Sequence, residues 1–371
     1  MPFSSSRRTT TRRPSKPSAR IPVAKRRLLV VTSDVPFVEG GHLTIARSTV
    51  RALREAGCEA DLVLTPQNRS GRQFRAYLAN RFTDVEVDGL GRRVDQVISL
   101  RFPSYAVKHP RHVSWLNHRL REYYDLWPVL RPQLGRRAIA KETVRRFLIH
   151  RLDAWLLKRN VTKVYAQSEN IRNRLRRWGR IPAEVLYPPP PPRAYRTEAY
   201  ENFVFAVSRL TPLKRLDLLV DAFRHIRHPE VEAVIVGDGP ERPGLERRIS
   251  AAGLERRIRL LGPSDEETVM SLYGRCRAVF FAPWDEDYGF VTVEAFASAK
   301  AVLTGTDSGG PTELVRDGES GYIVPPEPRR LAEKIDLLAE SPALAERLGT
   351  RGKESISGLT WPKTVAKLLL P

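Results

Sequence analysis

The sequence predicts an α/β protein built as two doubly wound units, and three observations predict it. Short β-branched runs alternate with segments of helical apolar spacing, once over residues 28–187 and again over 201–355, the pattern of parallel sheets covered by helices. Five consecutive prolines, Pro188 to Pro192, separate the two series. Such a run fixes φ and removes backbone donors, so 188–200 reads as a stiff linker. The chain of 371 residues is too long for one ordinary core, and its apolar fraction of 41% is enough to fill two.

In chain order, Arg27-Leu28-Leu29-Val30-Val31-Thr32 opens the first unit as a buried parallel strand. A turn-rich loop over 34–41 leads into helical spacing at Leu43, Ala46, Val50 and Leu53, stopped by Gly57. Ala60 to Leu64 is the next strand, which completes the opening of a doubly wound sheet. Residues 102–127 are dense in aromatics and hold His109, His112 and His118, with a strand over Val113–Leu116. A helix over Val144–Lys158, a strand over Val161–Ala166 and a helix over Asn170–Trp178 follow, and Val185-Leu186-Tyr187 runs into the prolines. Beyond the linker the alternation restarts. Strands fall at Phe203–Val207, Glu232–Val236, Ile258–Leu261, Ala278–Ala282, Ala301–Thr304 and Gly321–Val324. Helices fall at Leu216–Ile226, Asp265–Arg275 and Val291–Ala299. Residues 356–371 are expected to form a helix that packs back on the first unit.

Lys and Arg number 63 against 42 Asp and Glu, a formal net charge of +21 that favours anionic partners. Arg7, Arg8, Arg12, Arg13, Lys16, Arg20, Lys25, Arg26 and Arg27 lie within residues 1–27 with no acid among them. This Ser-, Thr- and Pro-rich stretch is too poor in apolar groups to fold, so it is expected to be a disordered tail and a candidate tether to an anionic membrane surface. It lacks the apolar segment of a secretory signal, and no apolar run approaches the roughly 18 residues of a membrane span. A cytoplasmic, at most peripheral, location is therefore expected. Cys58 and Cys276 stand far apart without metal-ligand spacing, as in a reducing compartment. A basic nucleic-acid-binding protein is the rival that the charge raises, but no aromatic–basic interleaving or helix-turn-helix cue accompanies it.

The sharpest chemical signal is Glu286-Asp287-Tyr288-Gly289-Phe290-Val291-Thr292-Val293-Glu294. Its outer carboxylates are eight residues apart, one in the loop after a strand and one in the helix that begins there. Open α/β sheets bind ligands at this end of their strands. The helix start offers free N–H groups to a phosphate, and Gly289 lets backbone approach closely. A carboxylate accepts hydrogen bonds from paired hydroxyls, so Glu286 suits a hexose and Glu294 a ribose. Spacing alone equally allows Glu286 to be solvated loop charge and Glu294 a surface helix residue. Arg209 and Lys214 follow a strand end directly, where two cations can hold the charge that a leaving diphosphate gathers.

This stretch resembles the E-x7-E motif of the retaining glycosyltransferases of family 4, and four further segments match that family in order. Ser208-Arg209-Leu210-Thr211-Pro212-Leu213-Lys214 is similar to its G-R-L-x-x-x-K loop, and Val236-Gly237-Asp238-Gly239-Pro240-Glu241 to its V-G-x-G-P-E turn. Ser308-Gly309-Gly310-Pro311-Thr312-Glu313 resembles its G-G-x-x-E loop, and Asp317-Gly318-Glu319-Ser320-Gly321 its D-G-x-x-G hairpin. The resemblance spans about residues 28–365. It implies the GT-B fold, two Rossmann-like domains facing across a cleft, with 201–355 binding a nucleotide sugar and 28–187 choosing the acceptor. It implies transfer of a hexose, with retention, from a UDP- or GDP-linked donor to a glycan or lipid-linked acceptor, without a cofactor or a bound metal. A nucleotide-sugar epimerase of the same fold is the alternative.

The residues carried over are His118, Arg209, Lys214 and Glu286 for catalysis, and Gly40, Gly41, Gly237, Gly289, Phe290, Val291 and Glu294 for donor binding. Gly40-Gly41 looks like the family's Gly-rich loop, where positive φ and close approach are expected; His42 beside it reads as a loop histidine. His118 lies at a place resembling the family's active-site histidine, with His109 and His112 as competitors. Ser168 resembles the serine of an S-x-N segment at the cleft edge, or is a helix N-cap. Asp285-Glu286-Asp287 falls within the matched motif and does not read as a metal loop. The sequence departs from the family at Ser208 and Arg215, where glycine is usual, and at Ala299 and Ala301, where Gly and Pro are common. These departures blur which nucleotide and sugar are used.

Overall fold

The computed structural model of the chain describes residues 25–34, 40–67 and 72–371. Six of the nine basic residues of the expected tail therefore lie outside the described residues. The other end of that stretch is ordered: Arg27 begins the first strand, and the Arg26 guanidinium donates to Leu370 O at 2.8 Å.

The first domain is built on β1 (Arg27–Asp34), α1 (Gly41–Glu55), β2 (Glu59–Pro66), α2 (Gln73–Phe82), β3 (Gln96–Ser99), β4 (His112–Leu116), α3 (Trp127–Leu130), α4 (Arg136–Arg159), β5 (Lys163–Ala166), α5 (Glu169–Arg177) and β6 (Glu184–Val185). Its strands form one parallel sheet in the order β2-β1-β3-β4-β5-β6. Every residue of β3 and β4 is buried, including Gln96, His112 and Ser114, because helices cover both faces of a parallel sheet.

The second domain holds β7 (Phe203–Val207), α6 (Leu216–Phe223), β8 (Glu232–Val236), α7 (Arg242–Ala251), β9 (Ile258–Gly262), α8 (Glu266–Arg275), β10 (Ala278–Phe280), α9 (Phe290–Ala297), β11 (Ala301–Gly305), α10 (Gly310–Leu314), β12 (Gly321–Val324), α11 (Pro328–Glu340) and α12 (Pro342–Ser355). Its parallel sheet runs β12-β11-β10-β7-β8-β9. One face packs Leu219, Phe223, Leu303 and Leu331; the other packs Phe205, Tyr273, Val293 and Phe296.

The last helix, α13 (Trp361–Leu368), returns to the first domain. Val365 and Leu368 join Leu28, Val30, Ile45 and Leu53 in one core, and Tyr165 donates its hydroxyl proton to Lys367 O at 2.9 Å. The Trp361 ring meets Trp115 edge-on, with centroids 6.3 Å apart.

Several elements differ from the sequence reading. Strand β3 went unassigned because four residues give no readable period. Helix α4 begins at Arg136, eight residues before the expected start, because its first turn carries no acidic residue and no side-chain cap marks it. The expected strand at Val161 begins at Lys163. Two departures from the family pattern fall on strained backbone. Arg215 has φ 49° and Ala299 φ 53°, the left-handed region that a side chain enters at a cost of roughly 1–2 kcal/mol. At Arg215 the guanidinium offsets it, donating to Ala282 O, Pro283 O and both oxygens of Asp307 at 2.7–2.9 Å.

Candidate active site

Both sheets reverse their winding at one point. The chain leaves β1 for β2 and comes back across it to β3; it leaves β7 for β8 and β9 and comes back to β10. Loops at such a switch point diverge and leave a crevice beyond the strand ends. Arg209 and Lys214 sit on the loop after β7, and Glu286 and Gly289 on the loop after β10. Trp284 N donates to Leu213 O at 2.8 Å, which ties the two loops together.

A cleft of about 500 Å³, open to solvent, lies between the domains and is lined by Gly40, Gly41, Arg209, Gly237, Phe290 and Glu294. Arg47 and Arg193 also line it. The Arg209 side chain is exposed there and makes no ion pair among the described residues. Glu294, on α9, is 6% exposed. Its carboxylate accepts hydrogen bonds from Arg193 at 2.9 Å and from the Tyr273 hydroxyl at 3.1 Å. Burial pushes its pKa up, while Arg193 and Tyr273 oppose that shift.

Two glycines shape this wall. Gly237 ends β8 at φ 126°, and a Cβ there would stand 1.9 Å from Ser208 O, so only glycine lets the loops after β7 and β8 touch. Gly289 caps α9 at φ 84°, where a Cβ would lie 2.6 Å from the Phe281 ring. No side chain caps α9, so its first N–H groups, which include those of Phe290 and Val291, lack a side-chain partner. Gly40 and Gly41 differ from expectation. Gly40 is extended at φ −176° and Gly41 is the first residue of α1, so neither uses the left-handed region. Space is the reason for Gly41, since a Cβ would come within 3.2 Å of Phe290.

The remaining candidates gather beside the cleft. Lys214 Nζ pairs with Glu286 Oε2 at 2.5 Å, and the ammonium lies 5.3 Å above the Phe281 ring. His118 follows the carboxyl end of β4; His112 starts that strand and His109 precedes it. The ring Nδ1 of His118 lies 2.7 Å from Arg119 O. A carbonyl only accepts, so Nδ1 carries the proton and Nε2 is left as an acceptor in the neutral ring. Burial and the neighbouring Arg101 pull its pKa down to about 4.

Next to His118 stands a charged cluster that sequence reading missed. Asp287 pairs with Arg174 and, at 3.7 Å, with Arg121. Burial acts to raise this carboxyl, but the two guanidinium groups prevail and hold it at about 2. Arg174 also reaches Asp285 at 2.8 Å. These ion pairs join the loop after β10 to the first domain. Ser168 is the helix N-cap, the second of its two readings: its Oγ accepts from Ile171 N at 3.1 Å at the start of α5, and it also donates to Asp287 O at 2.5 Å across the domain boundary. Glu313 adds a second cap, accepting from Glu169 N at 2.7 Å and Asn170 N at 2.6 Å.

Three further residues gave little sequence signal. Arg193 follows the prolines and was hidden by a chain rich in arginine. Arg101, just past β3, is buried, and desolvation pulls its guanidinium down to about 10. His42 lies within α1 rather than in a loop, 3.5 Å from Asp34; burial and Arg101 lower its pKa to about 4. Among the described residues, no three His, Cys, Asp or Glu side chains converge as a metal-holding group.

The chain is similar to known proteins in sequence and in fold. Residues 192–355 match the family Glycosyl transferases group 1. That group 1 region contains every candidate residue of the second domain. An uncharacterized glycosyltransferase of Methanocaldococcus jannaschii is 30% identical over 207 residues, which is 56% of this chain and 58% of that one. The chain spans 58% of the length of that relative, 54% of an alpha-D-kanosaminyltransferase of Streptomyces kanamyceticus, and less than half of others that it matches in sequence. Among solved structures, the sucrose-phosphate synthase of Thermosynechococcus elongatus superposes with a TM-score of 0.71 at 19% identity, over 92% of this chain and 97% of that one. HepE of Anabaena, solved in complex with UDP and glucose, superposes at 0.63 with 18% identity, over 91% and 97%. The two Rossmann-like domains and their cleft are the GT-B fold.

Proposed function

We propose that the chain is a retaining glycosyltransferase that moves a hexose from a UDP- or GDP-linked donor to a glycan or lipid-linked acceptor. The observation that carries this reading is the interdomain cleft. An exposed Arg209, without an ion pair among the described residues, and a buried, oriented Glu294 line one wall of it, within a region that matches the group 1 family. The UDP and glucose of the HepE structure support a nucleotide-sugar donor in such a cleft.

In this reading Glu294 accepts hydrogen bonds from the ribose hydroxyls, and the N-terminus of α9 faces the diphosphate. Gly237 and Gly41 leave room for donor atoms. Arg209 and Lys214 stabilise the charge that develops as the anomeric C–O bond breaks. Glu286, already fixed by Lys214, orients the sugar hydroxyls. The acceptor hydroxyl forms the new bond on the face the diphosphate leaves, and its proton passes to a phosphate oxygen. The protein supplies position and charge rather than a covalent nucleophile. A resident metal has no part in the reading, because the carboxylates of Glu286 and Asp287 are already engaged by cations.

The test is a thermal-shift panel of UDP-, GDP-, ADP- and TDP-sugars, since a true donor binds the folded state and raises its melting temperature. One nucleotide class should stand out, and Arg209→Ala should lower transfer from it by on the order of 100-fold while the fold persists. No shift with any member, or normal transfer by both Arg209→Ala and Lys214→Ala, overturns the proposal.

A further inference from the structure

The outer layer of the first domain carries a surface that the cleft does not use. Helix α4 has 24 residues and buries only Ile149, Asp153, Leu156 and Leu157. Val144, Phe147, Leu148 and Trp155 are 61, 59, 46 and 53% exposed, and their spacing puts all four on one side of the helix. Arg137, Lys141, Arg151, Lys158 and Arg159 are exposed on that same side, and the Arg151 guanidinium lies 5.4 Å above the Phe147 ring. Neither acid of α4 lies on this face: Glu142 is turned to Arg145 and the Tyr123 hydroxyl, and Asp153 is buried beneath the hydroxyls of Tyr77, Tyr105 and Tyr124.

Helix α2 extends the patch. Phe74, Leu78 and Phe82 fall at i, i+4 and i+8 and are 37, 55 and 82% exposed. Tyr77 of α2 bonds to Asp153 of α4, and Arg81 reaches Asn160 at the end of α4 at 3.3 Å. The two helices are therefore neighbours over one core, in which Tyr77 packs with Ile149, Leu156 and Leu157, and each presents an apolar stripe outward.

Apolar side chains framed by cations and free of carboxylates suit an anionic lipid surface. The rings enter the boundary between headgroups and acyl chains, and the guanidinium and ammonium groups meet the phosphates. Trp155 has the amphipathic ring that favours this boundary. A second copy of the chain fits poorly, because pairing this face with itself would set like charges together. We propose that the α2–α4 face docks the protein on an anionic membrane. None of these residues lines the cleft, so the proposal stands whatever the transferred group is.

The full chain is sedimented with vesicles of phosphatidylcholine alone and of phosphatidylcholine mixed with phosphatidylglycerol. Binding is expected to the mixed vesicles only. The double variant Phe147→Ser, Trp155→Ser should partition at least about tenfold less. Lys141→Gln with Arg151→Gln should lose a similar factor, and added salt should weaken the unsubstituted chain. Tryptophan emission should shift to the blue on the mixed vesicles and lose part of that shift in Trp155→Phe. All these side chains are exposed, so the variants should keep the unsubstituted melting temperature. The proposal is overturned if the unsubstituted chain ignores mixed vesicles, or if both double variants bind as it does. It is equally overturned if Phe147→Ser, Trp155→Ser abolishes a dimer instead, or if the face retains DNA but no vesicles.

Discussion

The three histidines of the aromatic segment show what a single residue's surroundings decide. His112 is buried against Ser99 at 2.8 Å, and His109 contacts Val94 O at 3.1 Å, both toward the amino end of β4. His118 stands beyond the carboxyl end of that strand, beside Asp287 and Arg101. Under the proposed function its neutral ring serves the transferred sugar. His118→Ala should then lower turnover by on the order of 100-fold with little change in donor affinity, while His109→Ala keeps normal turnover. The acid limb of turnover should lie near pH 4 rather than near the ordinary histidine value of 6.5. A pH–rate profile checks this, and a limb near 6.5 that persists in His109→Ala would point to an exposed ring in place of a buried one. The end of the strand was legible in sequence, since Val113 to Leu116 are apolar or small. The environment was not, because Arg101 and Asp287 reach His118 from other elements. Likewise, sequence marked Gly40 and Gly237 alike as loop glycines, yet only Gly237 has the left-handed φ and the contact that forbids a side chain.

At the scale of elements, the strands of the second domain could be read because each is a compact apolar run closed by a glycine, a proline or a polar residue. The first domain was harder to read. Its β3 is four residues long, and α4 presents apolar groups outward, so its hydrophobic pattern no longer marks the buried face. Cross-domain capping of α5 was beyond reach altogether. The first N–H groups of this helix are taken by Glu313 twice and by Ser168 once, so the second domain completes a helix of the first. Glu313→Ala should lower stability by about 1–2 kcal/mol, with Glu313→Gln between it and the unsubstituted protein because one carbonyl oxygen still accepts. Thermal melts of the three proteins check the order. Equal midpoints would mean that water replaces the cap without loss.

For the whole molecule, charge and burial set the response to pH. Burial pulls His42, His112, His118 and His150 down to about 4, 3, 4 and 4, below the unfolded value of 6.5. Below pH 6.5 the unfolded chain therefore binds protons that the folded chain refuses. Their contribution is complete above pH 6.5 and is lost as the pH falls toward 4. Asp153, Glu294 and Glu313, raised by burial, act in the opposite sense. Melting temperatures between pH 7 and 4 should fall, with a shallower slope in His150→Gln; an unchanged slope in that variant would remove His150 from the account. No described helix is long and apolar enough to cross a membrane. The chain passes between its domains twice, once along the prolines and once just before α13. These passages are fastened together where the Trp361 indole donates to Pro190 O at 3.1 Å. Two passages far apart in sequence are thus held side by side. The seam they form borders the cleft, since Pro191 and Arg193 of the first passage line it.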